Sequence, residues 1–402
     1  MRQKTQIQDD LVRVARPSAW LMTIIIASLL CAALFLLPRL NLIPFDADHW
    51  TADWRTALLS PRAEGQDGNV ALILINDETL DGYPYVSPID RGLIAKLIDT
   101  IDRAGAKAIG LDIVFDRPSE PAKDGKLVSA LKNARATVVL GVVNDNLLSD
   151  KQKAFQAEFI ANAGRSVGHV HFLLKGRKLA IDEDTIREIP PPLSGRQSFS
   201  WALAKADGEP KSPASNLIAW QRSPPDGTDM FLSLPAQVLL AFAGNPSNPL
   251  AQRLAGQLKD KIVLIGGDFA SRDRHPTPLS IVEESRQPGV AIHAQIIAQL
   301  VEGRTLWELG PRIEIAILFG LALLGCYLGW RYQIKRLDLL FGLLGTAILV
   351  AVDFLAYANY GLILPFATHW QAWVLGVTGG HFVAMLFPPP ERSGTVGGGL
   401  AT

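Results

Sequence analysis

Five residues carry the chemistry worth following: Asp77, Asp112, Asp268, Asp273 and His275. Each stands at, or just beyond, the end of an apolar run that reads as a strand. Carboxylates and an imidazole placed there could line a polar pocket outside a sheet, able to hold a small ligand or a divalent cation. The plainer alternative is that they cap turns and bond loop backbone. In Arg272-Asp273-Arg274-His275, the following Pro276 and Pro278 stiffen the loop and fix where its side chains point. An internal Asp–Arg network is the competing outcome there. Asp116, before Arg117-Pro118, reads as a turn residue.

Histidines give a second set. His169 and His171 alternate in VGHVHF, so on a strand they share a face. They are the weak candidates for a metal, against a half-exposed pair. His293 sits beside the apolar stripe of a helix and reads as a satisfied core histidine. Gly266-Gly267 lacks the further glycines of a dinucleotide fingerprint and is followed by an acid, which repels phosphate. No G-x-S-x-G, Walker loop or H-E-x-x-H is present. The expectation is therefore no cofactor, no catalytic residue and no strong metal site.

The elements that must position these groups are legible from periodicity. Residues 70–75 (VALILI) form an apolar run expected of a strand covered on both faces. Ser87 and Pro88 suggest an N-cap and first helical position, with Asp90 near the exposed N–H groups. Leu93, Ile94, Leu97, Ile98 and Ile101 follow at helical spacing, and Gly105 supplies a stop. Residues 108–115 form a second apolar strand, interrupted by Asp112. This is a βαβ unit, so its strands should be parallel and its crossover right-handed, with Asp77 and Asp112 at the same sheet edge. Further strands are expected over 137–143, 167–172 paired with 178–181, and 261–265. Helices are expected over 126–131, 199–206, 235–243 and 290–303.

The chain of 402 residues has 39 basic and 39 acidic side chains, and its net charge of zero gives no sign of the clustered basic excess that a nucleic-acid binder would show. Its two cysteines, Cys31 and Cys326, both fall in apolar end segments, so the middle of the chain has neither disulfide nor thiolate metal site. Four stretches approach bilayer length: 18–37, 312–331, 338–357 and 364–387. The first, after the basic N-terminal residues 1–17, reads as an uncleaved signal anchor. Arg331, Lys335 and Arg336 mark the loop between the second and third as cytoplasmic. The expectation is four spans with both termini inside, residues 38–311 outside, and a disordered cytoplasmic tail over 388–402. Asp353, His369 and His381 lie in the last two spans, where they suit interhelical pairing. Glycines at 320, 325, 329, 342, 345, 376, 379 and 380 permit close helix packing.

Four separated blocks carry a resemblance: LILINDETLDGYPY (72–85), AGAKAIGLDIVFDRP (104–118), KIVLIGGDFASRDRHPTPL (261–279) and PGVAIHAQIIAQLVEGR (288–304). With their order, and one span before and three after, the chain resembles the CHASE type-2 family of bacterial sensory extracellular domains. Tyr83-Pro84-Tyr85 departs from a tryptophan-proline-tryptophan type of pattern usual in that family. The resemblance implies an α/β periplasmic sensory domain, its largely parallel sheet built on the βαβ unit, and a multi-pass protein of the inner membrane. It implies a sensor of a small molecule or periplasmic protein and identifies no ligand. Family members usually run on into an output domain after the last span. Pro388-Pro389-Pro390 and the short tail lead instead to the expectation of signalling in trans to a separate membrane or output protein, with self-association left open. The rival is an ectoenzyme, a metal-assisted hydrolase using the strand-end carboxylates.

Overall fold

The computed structural model describes residues 18–40, 42, 47–172, 185–244, 247–270, 272–332 and 335–389, with backbone alone over 335–339. The strand expected over 178–181, the basic N-terminus 1–17 and nearly all of the tail lie outside these. The chain divides into two compact units, Asp53–Trp307 and the two ends, Met1–Ala52 with Glu308–Thr402.

The middle unit is built on β1 (Val70–Ile75). Ala71, Ile73 and Ile75 enter one core while Val70 and Leu72 enter another, so both faces of the strand are covered, as its unbroken apolar run requires. Helix α4 (Arg91–Arg103) follows, after the one-turn α3 (Asp77–Leu80). Its cap is Asp90, whose side chain accepts from Leu93 N at 3.0 Å, and not Ser87. Asp90 directly precedes the first helical residue and supplies a carboxylate at the helix's positive end, which a serine three residues earlier cannot do. Leu93, Ile94, Leu97, Ile98 and Ile101 are buried, and Gly105 ends the turn at φ +83°.

The remaining strands are β2 (Ala108–Asp112), β3 (Thr137–Val142), β4 (Ser166–His169), β5 (Leu232–Pro235) and β6 (Ile262–Gly267). They make one six-stranded sheet in the order β4-β3-β2-β6-β1-β5, with every neighbouring pair parallel. β1 and β2 run parallel as expected but are not neighbours, since β6 inserts between them and pairs with both. β4 joins the sheet edge in parallel to β3, and the pairing expected for it with 178–181 lies outside the described residues.

Helices divide between the faces. One side carries α4, α5 (Pro121–Asn133), α6 (Asp150–Ala163), α8 (Ala236–Ala243) and α9 (Pro249–Leu258), through Leu97, Leu127, Phe159, Leu239 and Leu258. The other carries α7 (Phe199–Ala204) and α11 (Gly289–Glu302), through Phe199, Leu203, Val290, Ala294 and Ile297. Gly110 on β2 makes room for α7, because a β-carbon there would lie 2.9 Å from the Phe199 ring. α11 is buried nearly all round; Ile292, Ile296 and Leu300 fill a third core with Ile186, Ile189 and Trp220. β2 hands the chain to α5 on the first face, while β6 hands it on towards α11 on the second. Adjacent strands with divergent exits leave a crevice at their carboxyl ends.

The terminal unit holds α1 (Ala19–Arg39), α12 (Pro311–Arg331), α13 (Lys335–Tyr360) and α14 (Phe366–Leu386). Among the described residues three helices, in α1, α12 and α13, are long and apolar enough to cross a membrane. α14 has the length, at 21 residues, but His369, Gln371 and His381 interrupt it. Gly325 and Gly376 let α12 and α14 meet backbone to backbone: a β-carbon on Gly325 would stand 2.8 Å from Trp373 O, and one on Gly376 2.7 Å from Ala322 O. Gly320 and Gly342 face open space. Arg39 at the end of α1 pairs with the buried Glu314 at the start of α12, at 2.7 Å. Helix α2 (Ala47–Leu59) begins in this unit and ends in the other.

Candidate functional site

Asp112 is the last residue of β2, and its side chain leaves the sheet on the α7–α11 face. The neighbouring strand ends in Gly266-Gly267, and the absent side chain of Gly266 makes the space: a β-carbon there would be 3.3 Å from Asp112 Cβ and 2.6 Å from Val290 Cβ. Asp112 therefore lies in the crevice between β2 and β6, under the first turn of α11. Burial, and then the nearby Asp273 carboxylate, push its pKa up to about 7. Its carboxyl takes part in none of the hydrogen bonds or ion pairs found among the described residues. A carboxyl so placed responds to a proton, a cation or a hydrogen-bond donor arriving in the crevice.

Asp273 and His275 come from the loop after β6 and close the crevice from outside. Asp273 is exposed, adopts φ +57°, and its carbonyl accepts from Gly289 N at 3.2 Å, holding it at the N-terminus of α11. His275 Nε2 lies 3.3 Å from Asp273 Oδ1. Beside them opens a hollow of about 500 Å³ lined by Arg272, Asp273, Arg274 and Arg286. Three arginines and one carboxylate thus line it.

The other two carboxylates do not join this group. Asp268 pairs with Arg274, which also donates to Phe269 O at 3.0 Å and Arg286 O at 2.9 Å, so this carboxylate braces the loop. Asp77 is the exposed first residue of α3, where Asn76 forms the cap by accepting from Thr79 N at 2.8 Å. It stands at the same sheet edge as Asp112, with solvent around it. Asp116 is held by Arg117, at 3.0 and 3.1 Å, and by Gln152; the Arg117 bond comes first in keeping its carboxyl below the usual range.

The histidines form a second wall. His169 and His171 stack with ring centroids 6.1 Å apart, although β4 ends at His169. His169 Nε2 meets Pro191 O at 2.8 Å, and His171 Nε2 accepts from Asn144 N at 2.7 Å. His171 thus spends its Nε2 lone pair on Asn144, whereas His169 donates Nε2–H to the carbonyl and keeps a buried Nδ1 lone pair without a hydrogen-bond partner. No group of three or more His, Cys, Asp or Glu among the described residues could hold a metal ion. Phe172 links the walls, stacking on His293 at 4.5 Å and meeting His275 edge-on at 5.5 Å. His293 is buried, and its Nδ1 shares a 2.8 Å hydrogen bond with Ser200. Burial, then His169 and His275, lower its pKa to about 3. Burial likewise lowers His169 and, with His169 adding to it, His171.

His293 is the buried, hydrogen-bonded core histidine that its place beside the helix stripe suggests, and by carrying Phe172 it also bears on His275. Sequence reasoning did not single out a buried arginine on the other face. Arg91, first residue of α4, is 1% exposed over the Phe115 ring at 4.5 Å, with Asp124 at 3.7 Å, and its Nε and Nη1 have no hydrogen-bond partner. Its place next to a capping Asp90 is the signal in the sequence, but nothing local marks an arginine for burial.

A family model, the CHASE2 domain, matches residues 24–327. No curated protein and no solved structure matches the chain.

Proposed function

Because the chain belongs to the CHASE2 domain family, a family of sensory extracellular domains, we propose that it is a membrane-bound receptor that takes a small polar ligand at the Asp112 crevice. The observation that carries this reading is the Asp112 carboxyl itself: part-buried, without a hydrogen-bond partner, and set where divergent strand exits open the sheet. Asp273 and His275 would close over the ligand. A ligand can shift the domain only by its difference in affinity for two arrangements, and residues 268–270 and 272–275, anchored through Asp268–Arg274 and Gly289, are positioned to have two.

The domain would face the periplasm, with α1, α12, α13 and α14 as four spans of the inner membrane. The basic loop after α12 and the three strongly apolar helices support that placement. Reporter fusions after Leu37 and at Gly361 should read periplasm, and fusions at Lys335 and Thr402 cytoplasm; a periplasmic signal at Thr402 removes the four-span arrangement. The signal would pass to a separate partner protein. In support, α13 packs chiefly on α14 and leaves Leu343, Leu344, Ile348 and Leu355 outward.

A photo-crosslinking residue at Ile348 in native membranes tests the whole reading. The receptor predicts a discrete protein adduct whose yield changes in Asp112→Asn. Adducts with lipid alone, unchanged by Asp112→Asn, would sink it. The metal-assisted hydrolase finds less support, since its ligand groups do not converge among the described residues.

A further inference from the structure

Helix α2 is built inside out. Its buried side chains include Asp53, Arg55 and Thr56, at 4%, 1% and 5% exposure, whereas Trp50, Trp54 and Leu58 are 49%, 42% and 46% exposed. The three exposed residues recur every fourth position, so they form one stripe, roughly 12 Å long at 1.5 Å per residue. A helix on a water-facing surface places its apolar stripe inward. Here the inward groups are polar, and Asp53 holds Arg187 through both oxygens, at 2.8 and 2.6 Å. That fork fixes the inward face, and the apolar stripe keeps much of its surface exposed on the other.

We propose that α2 is an interfacial helix, its Trp50–Trp54–Leu58 stripe seated in the headgroup–acyl boundary of the bilayer crossed by α1. Three observations choose lipid as the occupant. α1, the most apolar of the three long helices, ends at Arg39, and only 40–46 separate it from α2, so the stripe begins within a short chain length of a membrane surface. Two of the three stripe residues are tryptophan, whose amphipathic ring is the side chain enriched at that depth. The connecting segment adds two more exposed leucines, Leu40 and Leu42, at 61% and 63%. The first turn of α2 is also tied to a terminal-unit helix, for Thr368 N donates to Asp48 at 3.0 Å and the Thr368 hydroxyl bonds the same carboxylate. The inference needs only that α1 spans a bilayer and stands without the receptor reading.

The full chain in phospholipid nanodiscs of phosphatidylcholine and phosphatidylglycerol tests it, with nitroxide labels on Trp54→Cys and, separately, Leu58→Cys. Cys31 and Cys326 are buried and stay in place, with the unsubstituted chain as the labelling control. Asp99→Cys, exposed on α4, and Leu344→Cys, exposed on α13, serve as water and lipid references. Labels at 54 and 58 should collide more with oxygen than with a water-soluble nickel chelate, as at 344, reversing the order found at 99. Collision ratios at both positions equal to that at 99 overturn the proposal. So does dipolar broadening between labels on separate copies, which would assign the stripe to a second copy of this chain. Both positions are on the surface, so the substitutions leave the core intact, and two independent sites guard against one misleading variant.

Discussion

Asp53 and Arg187 meet as a fork, Nε to Oδ1 at 2.8 Å and Nη2 to Oδ2 at 2.6 Å, with the carboxylate side chain 6% exposed. They join α2 to a segment 134 residues away. A pair of this geometry is worth keeping only as a pair, because either partner alone leaves a desolvated charge. Asp53→Ala should cost about 3–5 kcal/mol in unfolding free energy. In a double-mutant cycle with Arg187→Ala, the two losses should fall short of additive by more than about 1 kcal/mol. Additive losses would mean the fork contributes no coupling.

Asp112 should make stability fall as pH rises. Its folded pKa of about 7 is above the ordinary value of 3.8, so the native state holds the proton more tightly than the unfolded chain. Its contribution is full below pH 3.8 and is lost as pH rises through 7. Asp112→Asn keeps the shape and cannot ionise. We expect the variant to be more stable than the parent by about 1–3 kcal/mol at pH 8, and little different at pH 4. Thermal melts of the full chain in detergent at the two pH values decide it; equal shifts at both would show that the carboxyl is not desolvated.

His293 has the opposite sign. Its pKa is lowered from 6.5 to about 3, so the unfolded chain binds the proton first and stability drains away as pH falls below 6.5. Between pH 6.5 and 5 the loss should approach about 2 kcal/mol, at 1.36 kcal/mol per unit. His293→Gln, which can still meet Ser200, should flatten that slope. His169 and His171 are shifted the same way, so a residual slope is expected. A slope as steep as the parent's would place the titration elsewhere.

The ease of reading this sequence differs from element to element for physical reasons. β1 and α4 were legible because each announces its own period: VALILI is buried on both faces, and the stripe from Leu93 to Ile101 can have only one buried side. The edge position of Asp112 followed from the apolar run it ends. The insertion of β6 between β1 and β2 was not legible, since strand order depends on pairing between residues nearly 200 positions apart, such as Val70 with Ile262. The separation of Asp77 and Asp268 from Asp112 was hidden for a related reason: one spends itself beside a cap, the other on Arg274, and neither choice has a local signature. Arg91 and α2 went unread because a buried arginine and an outward tryptophan stripe both invert the rule by which polarity reports burial.

The terminal helices offer the sharpest steric test. The glycines of α12 and α14 are consumed within the chain: Gly325 faces Trp373 O and Gly376 faces Ala322 O, at separations a β-carbon could not share. The obstructing atoms are backbone, so they cannot swing aside as a flexible side chain would, and the helices must part. Gly376→Leu should therefore sharply reduce the folded fraction in mild detergent, by more than the roughly 1–3 kcal/mol usual for core overpacking. Gly342→Leu is the matched control, because nothing lies within 4 Å of a β-carbon there. It should fold like the parent. The control also bears on association: of the glycines in these helices, Gly320 and Gly342 are left open, so a partner seeking close backbone approach must use those. Loss of a crosslinked partner in Gly342→Leu, with folding unchanged, would locate that contact on α13. Gly376→Leu folding normally while losing only such an adduct would show instead that the α12–α14 seam forms between chains.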